Sequence, residues 1–556
     1  MKSKTRFLNS LYKRSVDIFN NKINYTYWIK NFKKIFSYDV NSDNVNIKHY
    51  DDDNNLLLDL YSPGKNKNIK YTDLYAGIPN LDFCEDTGNN VLIKTVNTED
   101  QAYTSVFTYD EEGSMYVAGF ILNQGTNNAV VIDNEVVIEN NDLGRSMILV
   151  KYDKDGNFKW VKNFYMSSNI AEADINNRIN SITCDKNGSI YLTGYFNGII
   201  GDNNYTLSTI NENRQSYFLR VNYDGDILNA KQTTTPINES APGGTSIVCN
   251  YNYIYLAFLS PASLVTYDGQ EMIQENPGSL TGFILKLTPS GNLIKYKILN
   301  TTSRSLVGSP DSLTLKNGYL YVSGENGGTT NFGTTDNPEN VTSVEFEPFT
   351  VKYDLDFNFQ WIYKPVTGGR SRSNSVEVDD DDNVYISIYF LTSIEVDGNT
   401  YNKIGTGGVL VKLDSNGQYV WDYYLPEIIN AYSSSINNGS IYFCGKINAN
   451  GVNIDNGGGT TLMNNPDTGV YAFVIKINKD TGLFDDFHFT LPRTGSDIYT
   501  YNDEFNNMYI VHVYNTINGP INYDFTGNTQ LIEGLGTTTN NYNGMLMKLC
   551  NKFLNQ

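Results

Sequence analysis

The sequence predicts an all-β fold built from seven copies of one supersecondary unit, because two short patterns recur together along its 556 residues. The first pattern is an apolar strand that carries a tyrosine, and the second, about 30 residues later, is a strand that ends in a cation. Both series step by roughly 57–75 residues, which is typical of one unit repeated around a ring or along a stack. The tyrosines are Tyr116, Tyr191, Tyr255, Tyr321, Tyr385, Tyr442 and Tyr509, and the cations are Lys151, Arg220, Lys286, Lys352, Lys412, Lys476 and Lys548.

Both halves of the unit have the composition of β-structure. Strands such as Ser114–Gly119 alternate β-branched or aromatic residues, which suit a pleated, buried surface. Asn-Gly pairs before several of these strands supply the positive φ that a tight hairpin turn requires. The repeated lysine is expected to rest its aliphatic stem on neighbouring aromatics while its ammonium group reaches water or an adjacent unit. One repeated structural role is also predicted for the tryptophans that follow a lysine by nine residues: Trp160, Trp361 and Trp421.

A Y-V-x-G strand, a later V-K-x-D-x-N-G-N hairpin and the trailing tryptophan together resemble the bacterial β-propeller repeat family, also called the SBBP repeat. The resemblance covers roughly residues 100–556 and implies four-stranded blades around a central channel. Seven copies therefore predict a seven-bladed β-propeller. Some copies depart from the pattern at packing positions: Phe258, Ile388 and His512 replace the glycine after the tyrosine, Arg220 replaces lysine, and Asn229 replaces tryptophan.

The last copy is short, since few residues follow Lys548 and they are too few for a final hairpin. A ring left open would expose sheet edges, which invite aggregation. We therefore expect a strand near Val91–Thr95 to join the last blade and close the ring. The alternative is that this segment forms an independent edge strand.

Charge and pattern divide the chain into a basic, partly helical arm at 1–38, an acidic or irregular linker and lead-in at 39–90, and the propeller at 91–556. The arm holds nine Lys or Arg and one acid, Asp17; it carries +8 in a chain of net charge −20, which leaves −28 on the rest. Its apolar residues, such as Leu8 and Leu11, recur at roughly helical spacing. The arm is expected either to pack on the ring or to dock on a partner protein, with a membrane surface or nucleic acid as the remaining alternative.

The acidic body excludes nucleic-acid binding by the propeller, because phosphate contacts need basic patches. Protein partners are instead expected at the arm and the blade loops, and a glycan is an alternative ligand. The basic start is not followed by the apolar run and cleavage site of a secretory signal. Nor does any stretch approach the roughly 18–20 apolar residues of a membrane span. We therefore expect a virion or cytoplasmic location.

The sequence assigns no catalytic, cofactor-binding or metal-binding residue. Its three histidines, His49, His488 and His512, are far apart, and no G-x-S-x-G elbow, Walker-type loop or dinucleotide fingerprint occurs. The acidic turns Asp153–Asn157 and Asp379–Asn383 could offer oxygen ligands to Ca²⁺, but hairpin chemistry explains them more simply. The cysteines form no C-x-x-C pair and are interpreted as buried free thiols: Cys84, Cys184, Cys249, Cys444 and Cys550.

These observations favour a non-enzymatic structural or interaction protein, with the propeller as a rigid scaffold in the virion of a phage or a large DNA virus. One alternative is a propeller module that binds a glycan or a protein through its long loops, which are rich in Asn, Gly and Thr. Another is a propeller enzyme acting on a polysaccharide or an ester, which would need a cluster of carboxylates or a Ser/His pair in the channel. Examples of these long loops are Leu122–Arg145, Asn197–Gln215, Asn326–Glu345 and Asn515–Asn543.

Overall fold

A computed structural model describes the chain as two compact units, residues 1–89 and 90–556. The first unit is described only in its strands, and the second over most of 91–550. Within 91–550 the description leaves out 99–100, 124–127, 133–134, 141–143, 165–175, 186–187, 203, 210–212, 237–238, 240–242, 438, 465–469, 492–493, 504–505, 516–520, 523–530 and 533–541. The described elements are all strands, which confirms the predicted all-β class. Accordingly, these residues contain no helix that could cross a membrane.

The first unit is a five-stranded antiparallel meander in which each strand pairs with the next along the chain. Its strands are Lys13–Phe19, Lys22–Ile29, Phe32–Asp39, Val45–Tyr50 and Leu56–Ser62. The helix expected within 1–38 is thus replaced by strands, and two further strands lie in the segment expected to be an irregular lead-in. The physical reason is that Ile23, Tyr25 and Tyr27 alternate with a period of two, as a strand requires. Residues 1–12 and 63–90, with Cys84, lie outside the described residues.

The second unit repeats one antiparallel sheet of four strands, in which the strands pair in the order first, second, third and fourth. The first strands are Gln101–Tyr109, Arg178–Cys184, Gly243–Cys249, Leu313–Lys316, Ser371–Val378, Ile428–Asn437 and Thr494–Asn502. The second strands are Met115–Asn123, Ile190–Phe196, Ile254–Ser260, Tyr319–Asn331, Val384–Val396, Ser440–Ile447 and Met508–Asn515. The third strands are Gly144–Tyr152, Gln215–Val221, Thr281–Leu287, Asn340–Asp354, Asn399–Leu413, Tyr471–Asn478 and Tyr542–Leu549. The fourth strands are Phe158–Asn163, Ile227–Thr234, Leu293–Leu299, Phe359–Tyr363, Tyr419–Leu425, Phe484–Leu491 and Val91–Asn97.

Shorter strands lie in the connections between the strands listed above. Two of them, Arg304–Leu306 and Val366–Thr367, pair with the far ends of long second strands in the fourth and fifth sheets. The others form small hairpins: Asn128–Ile132 with Glu135–Asn140, Ile199–Gly201 with Thr206–Ser208, Leu264–Tyr267 with Gln270–Ile273, Val452–Asn453 with Leu462–Met463, and Ile521–Asn522 with Leu531–Ile532.

The sheets follow one another in a closed cycle. The first strand of each sheet contacts the first strand of the next, and that of the last sheet contacts that of the first. Val91–Asn97 supplies the fourth strand of the last sheet, with Val91 opposite Leu549 and Val96 opposite Gly544. The closing strand predicted near Val91–Thr95 is therefore confirmed. Apolar side chains from neighbouring sheets fill the space between them, and the fold is all-β and propeller-like.

In three of the described sheets the repeated lysine and tryptophan join the sheet to the next one. Lys412 Nζ and Trp421 Nε1 donate to the same acceptor, the carbonyl oxygen of Lys479, at 2.8 and 3.1 Å. This carbonyl lies in the turn between the third and fourth strands of the following sheet. The lysine ammonium also lies 5.4 Å from the centre of the Tyr385 ring. The same arrangement joins Lys352 and Trp361 to Ser415, and Lys151 and Trp160 to Tyr223, so the shared register does reflect one structural role.

The acidic turns before the second strands are closed by their own backbone. Asp379 Oδ1 accepts hydrogen bonds from the backbone N–H groups of Asp381 and Asn383, at 3.0 and 2.9 Å. Its Oδ2 accepts one from the Tyr385 hydroxyl at 3.1 Å. These bonds occupy the carboxylate, which favours the hairpin interpretation of the turn over a calcium site. A tyrosine hydroxyl donates the same hydrogen bond to an aspartate Oδ2 in three other sheets: Tyr116 to Asp110, Tyr191 to Asp185, and Tyr509 to Asp503.

The position three residues after the repeated tyrosine is crowded by the first strand. At Gly119 a Cβ would lie 1.8 Å from the carbonyl oxygen of Tyr103, so only glycine permits this approach. In three sheets the position is instead filled by Phe258, Ile388 or His512, each fully buried. Within the described part of the chain, neither ring nitrogen of His512 has a hydrogen-bond partner.

His512→Phe is expected to raise the free energy of unfolding by about 1–3 kcal/mol, because it removes an unsatisfied buried polar group. Burial, with a smaller effect from the charge of Lys446, lowers the pKa of His512 to about 3, so its desolvated ring is neutral at pH 7. Urea unfolding measures the change. The reverse substitution at the equivalent site, Phe258→His, is the matched control and should destabilise. A less stable His512→Phe would show that the histidine nitrogens are satisfied.

Candidate active site

A cavity of about 260 Å³ lies where the first strands meet. Six of the seven sheets contribute first-strand residues to its walls. The lining side chains include two carboxyl groups, Asp311 and Glu377, and one phenol, Tyr501. Its other residues are Val106, Phe107, Thr108, Ser181, Ile182, Thr183, Ile247, Val248, Cys249, Pro310, Leu313, Thr314 and Leu315.

Asp311 reaches the cavity because the connection before the short first strand of the fourth sheet crosses the inside of the ring. The carbonyl oxygen of Pro310 accepts a hydrogen bond from Ser246 Oγ at 2.6 Å, in the third sheet. The carbonyl oxygen of Asp311 accepts one from the backbone N–H of Val376 at 3.1 Å, in the fifth. Its Oδ2 accepts one from Ser433 Oγ at 2.6 Å, in the sixth. This dipeptide is therefore held by strands on several sides, which fixes the Asp311 carboxyl group.

Glu377 occupies the first-strand position that pairs with the repeated tyrosine, here Tyr385. In the other sheets this position holds a neutral side chain: Thr108, Thr183, Val248, Thr314, Ser435 or Tyr501. One repeat thus places a carboxyl group on the cavity wall where the others place hydroxyl groups or an apolar group. The substitution is local to the fifth sheet and leaves the strand pairing intact.

The two carboxyl groups have different proton affinities. Burial raises the pKa of Asp311 to about 6, and hydrogen bonds from Ser433 and Tyr501 limit the rise. Burial, followed by the negative charge of Asp311, raises the pKa of Glu377 to about 8, while Lys316 opposes the shift. At pH 7 Glu377 is mostly protonated and Asp311 mostly ionised. A proton donor and a proton acceptor therefore share one cavity, which is the arrangement that acid–base catalysis requires.

Among the residues that the structure describes, thiols and histidines contribute no comparable pair of proton donor and acceptor. Cys249 lines the cavity, but burial raises its pKa to about 12, so it is a poor nucleophile at neutral pH. Cys184, Cys249 and Cys444 are free thiols, as expected, whereas Cys550 is disulfide-bonded, which corrects that prediction for one residue. The side chains of His49 and His488 lie outside the described residues. Among the residues that are described, no group of three or more His, Cys, Asp or Glu could hold a metal ion.

Comparison with known proteins gives distant structural similarity alone. No family model matches the chain, so membership in the SBBP repeat family is not confirmed, and no curated protein matches. A lignostilbene dioxygenase from Pseudomonas brassicacearum is 10% identical, over 75% of this chain and 86% of that one, with a TM-score of 0.34. A mutant NanB sialidase from Streptococcus pneumoniae is 11% identical, over 97% and 90%, with a TM-score of 0.34. A puromycin hydrolase is 9% identical, over 75% and 59%, with a TM-score of 0.28.

The expectation of a non-enzymatic virion scaffold is corrected at this point. The solved structures named above are those of a dioxygenase, a sialidase and a hydrolase, and none of them is a virion scaffold. The prediction was wrong because it relied on the lack of a linear catalytic motif. A cavity between sheets gathers its polar groups from distant parts of the chain, as Asp311 and Glu377 illustrate, and such a site leaves no linear motif.

Proposed function

We propose that this chain is a seven-bladed β-propeller enzyme that hydrolyses a glycosidic bond of a polysaccharide, with Glu377 as general acid and Asp311 as general base. The observation that carries the proposal is the pair of carboxyl groups with separated pKa values in the central cavity. The closed cycle of first-strand contacts supports the count of seven blades. Two carboxyl groups, one protonated and one ionised, are the usual machinery of glycoside hydrolysis.

The proposed roles follow from the protonation states at neutral pH. Glu377 gives its proton to the leaving glycosidic oxygen as the bond to the anomeric carbon breaks. Asp311 takes a proton from the water whose oxygen bonds to that carbon. One water molecule is thereby added across one bond, and proton exchange with solvent restores both carboxyl groups. Tyr501 and Ser433 stabilise the ionised form of Asp311 through their hydrogen bonds and so act as positioning residues.

Glu377→Gln and Asp311→Asn are each expected to lower kcat by about 10²–10⁴-fold, the usual contribution of a general acid or base. Release of reducing ends from a panel of neutral and acidic polysaccharides measures the rate. The wild-type rate should follow a bell-shaped pH profile with limbs near pH 6 and 8, set by the two carboxyl groups. The matched control is Glu271→Gln, which removes an exposed carboxylate outside the cavity and should leave the rate unchanged.

Two results would contradict this assignment. One is a wild-type protein that releases no reducing ends from any polysaccharide of the panel. The other is a Glu377→Gln variant that keeps the wild-type rate and its pH limb near 8. Circular dichroism of each variant establishes that a lost rate does not come from unfolding.

Ester hydrolysis is a second candidate, favoured by one contact. Ser433 Oγ donates to Asp311 Oδ2 at 2.6 Å, so a hydroxyl group already lies against a carboxylate that could take its proton. Ser433→Ala distinguishes the two reactions. It should abolish release of nitrophenol from 4-nitrophenyl acetate if Ser433 is the nucleophile. For glycoside hydrolysis the same variant should only raise the pKa of Asp311 and shift the acidic limb of the profile upward.

A further inference from the structure

A second polar cluster lies between the fourth and fifth sheets, around a buried carboxylate. The Glu325 side chain is fully buried in the second strand of the fourth sheet. Arg304 Nε lies 3.1 Å from its Oε1, and Arg370 Nε lies 3.1 Å from its Oε2. The Arg370 contact has the geometry of a hydrogen bond. The Arg304 contact is an ion pair whose N–H group does not point at the carboxylate oxygen well enough to form a hydrogen bond. Both arginine side chains remain partly open to solvent, at 27% and 41% exposure.

Arg372 brings a third guanidinium group to the cluster. It stands in the first strand of the fifth sheet, opposite Tyr389. Its side chain packs over Gly308, where a Cβ would lie 2.3 Å from a terminal nitrogen of the guanidinium group. Its Nε is buried and has no hydrogen-bond partner among the described residues. Two charged groups act on its guanidinium group: Glu325, which is attractive, and Arg370, which is repulsive.

The charges of this cluster do not balance. Two guanidinium groups contact one carboxylate, and that of Arg372 lies close enough to interact with its charge, which leaves an excess of about two positive charges in a protein whose net charge is −20. A buried cation without a hydrogen-bonded counter-ion is costly, so such groups normally face an anion. The planar fork of a guanidinium group matches carboxylate, sulfate and phosphate oxygens in pairs. The unpaired Nε of Arg372, beside two partly exposed arginines, therefore suits an anion that enters from solvent.

We infer that Arg304, Arg370 and Arg372 form a binding site for a compact oxyanion, namely a carboxylate, sulfate or phosphate group. Glu325 holds the first two arginines in place and competes with the ligand for them. Arg372 and Glu377 stand at opposite ends of the strand Ser371–Val378, so the oxyanion site is separate from the carboxyl pair. The inference goes beyond the proposed hydrolysis and does not depend on it.

Isothermal titration calorimetry of the full chain at constant ionic strength tests the site. The probes are sodium sulfate, sodium phosphate and sodium acetate, followed by sodium glucuronate, which carries its carboxylate on a sugar. The wild type should bind at least one inorganic oxyanion saturably, with one site per chain. Tighter binding of glucuronate than of acetate would identify a carbohydrate-borne carboxylate as the preferred source. Binding of glucuronate that is equal to or weaker than that of acetate would identify a free anion as the preferred ligand.

Arg372→Met keeps the volume and removes the charge, so it should weaken binding at least tenfold. Glu325→Gln should tighten binding, because it removes the competing carboxylate, and this opposite sign distinguishes a ligand site from a merely structural cluster. The matched control is Arg214→Gln, an exposed arginine over Tyr195, which should bind as the wild type does. If Arg372→Met does not fold, Arg370→Met, at a more exposed position, takes its place. Absence of saturable binding, or an Arg372→Met or Arg370→Met variant that folds and binds like the wild type, overturns the inference.

Discussion

Trp421→Ala is expected to lower the free energy of unfolding by about 3–5 kcal/mol, the usual cost of truncating a large buried aromatic residue. The Trp421 side chain is only 8% exposed, and its Nε1 donates to the carbonyl oxygen of Lys479 at 3.1 Å. A Cβ at Gly482 would lie 2.7 Å from the indole, so the ring packs directly on the turn of the next sheet. The substitution leaves a cavity and also removes one of the two donors that join these sheets.

Urea unfolding followed by circular dichroism measures this loss. The equivalent Trp361→Ala is expected to cost less, since Trp361 makes the same kind of hydrogen bond but is only half-buried. Val366→Ala, at a side chain that is 56% exposed, is the surface control and should change stability by less than about 0.5 kcal/mol. A loss below about 1 kcal/mol for Trp421→Ala would show that this contact between sheets does not hold the ring together.

The contribution of Asp311 and Glu377 to the free energy of unfolding should fall as the pH rises from about 4 to about 8, because burial raises the pKa of Asp311 to about 6 and of Glu377 to about 8. In the unfolded chain both groups titrate near their ordinary values of about 4. Between these limits Asp311 and Glu377 bind more protons in the folded chain than in the unfolded chain. The stabilising contribution is therefore complete below about pH 4 and is lost as the pH passes the folded-state values. The expected loss is roughly 2–5 kcal/mol for each of the two groups, at about 1.4 kcal/mol for each pKa unit.

Glu377→Gln isolates the larger part of this pH dependence. Because glutamine carries no proton to lose, the variant should gain stability relative to the wild type as the pH rises from about 5 to about 8. Unfolding curves of both proteins at several pH values give this difference in the free energy of unfolding. Titrating groups that do not interact with Glu377 contribute equally to both proteins and cancel from the difference. Glu271→Gln, at an exposed carboxylate, should instead run parallel to the wild type. A parallel curve for Glu377→Gln would mean that its carboxyl group is ionised at neutral pH and cannot serve as the acid.

The second unit of the fold was largely predictable because its signals are local and repeated. The tyrosine strands, the Asn-Gly turns and the tryptophans nine residues after lysine each depend on neighbours within one hairpin. Even the closing strand Val91–Asn97 could be predicted, since an unpaired sheet edge demands a partner. The first unit was less predictable, because its aromatic and basic residues fit both a helical and a strand period, and only Ile23, Tyr25 and Tyr27 favour the strand.

The candidate site gave far weaker signals. At the first-strand position opposite the repeated tyrosine, Glu377 is the one acid, and its six counterparts are threonine, serine, valine or tyrosine. This contrast is visible in the sequence only after the repeats are aligned on their tyrosines. Asp311 lies in an irregular connection that no periodic pattern covers. The oxyanion cluster likewise draws Arg304, Glu325 and Arg372 from three separate strands. Nothing in their spacing along the chain indicates that they meet.

The sequence by itself determined the strands, their turns and the repetition of one antiparallel sheet, because backbone propensity and side-chain alternation act between residues close along the chain. Only the tertiary structure decided which carboxyl groups share a cavity and which arginines surround Glu325. The physical reason is that the properties of both groups come from desolvation and from the proximity of charges. These depend on distances in space and not on separation along the chain. Both are set when the first strands of separate sheets come together around the centre of the ring.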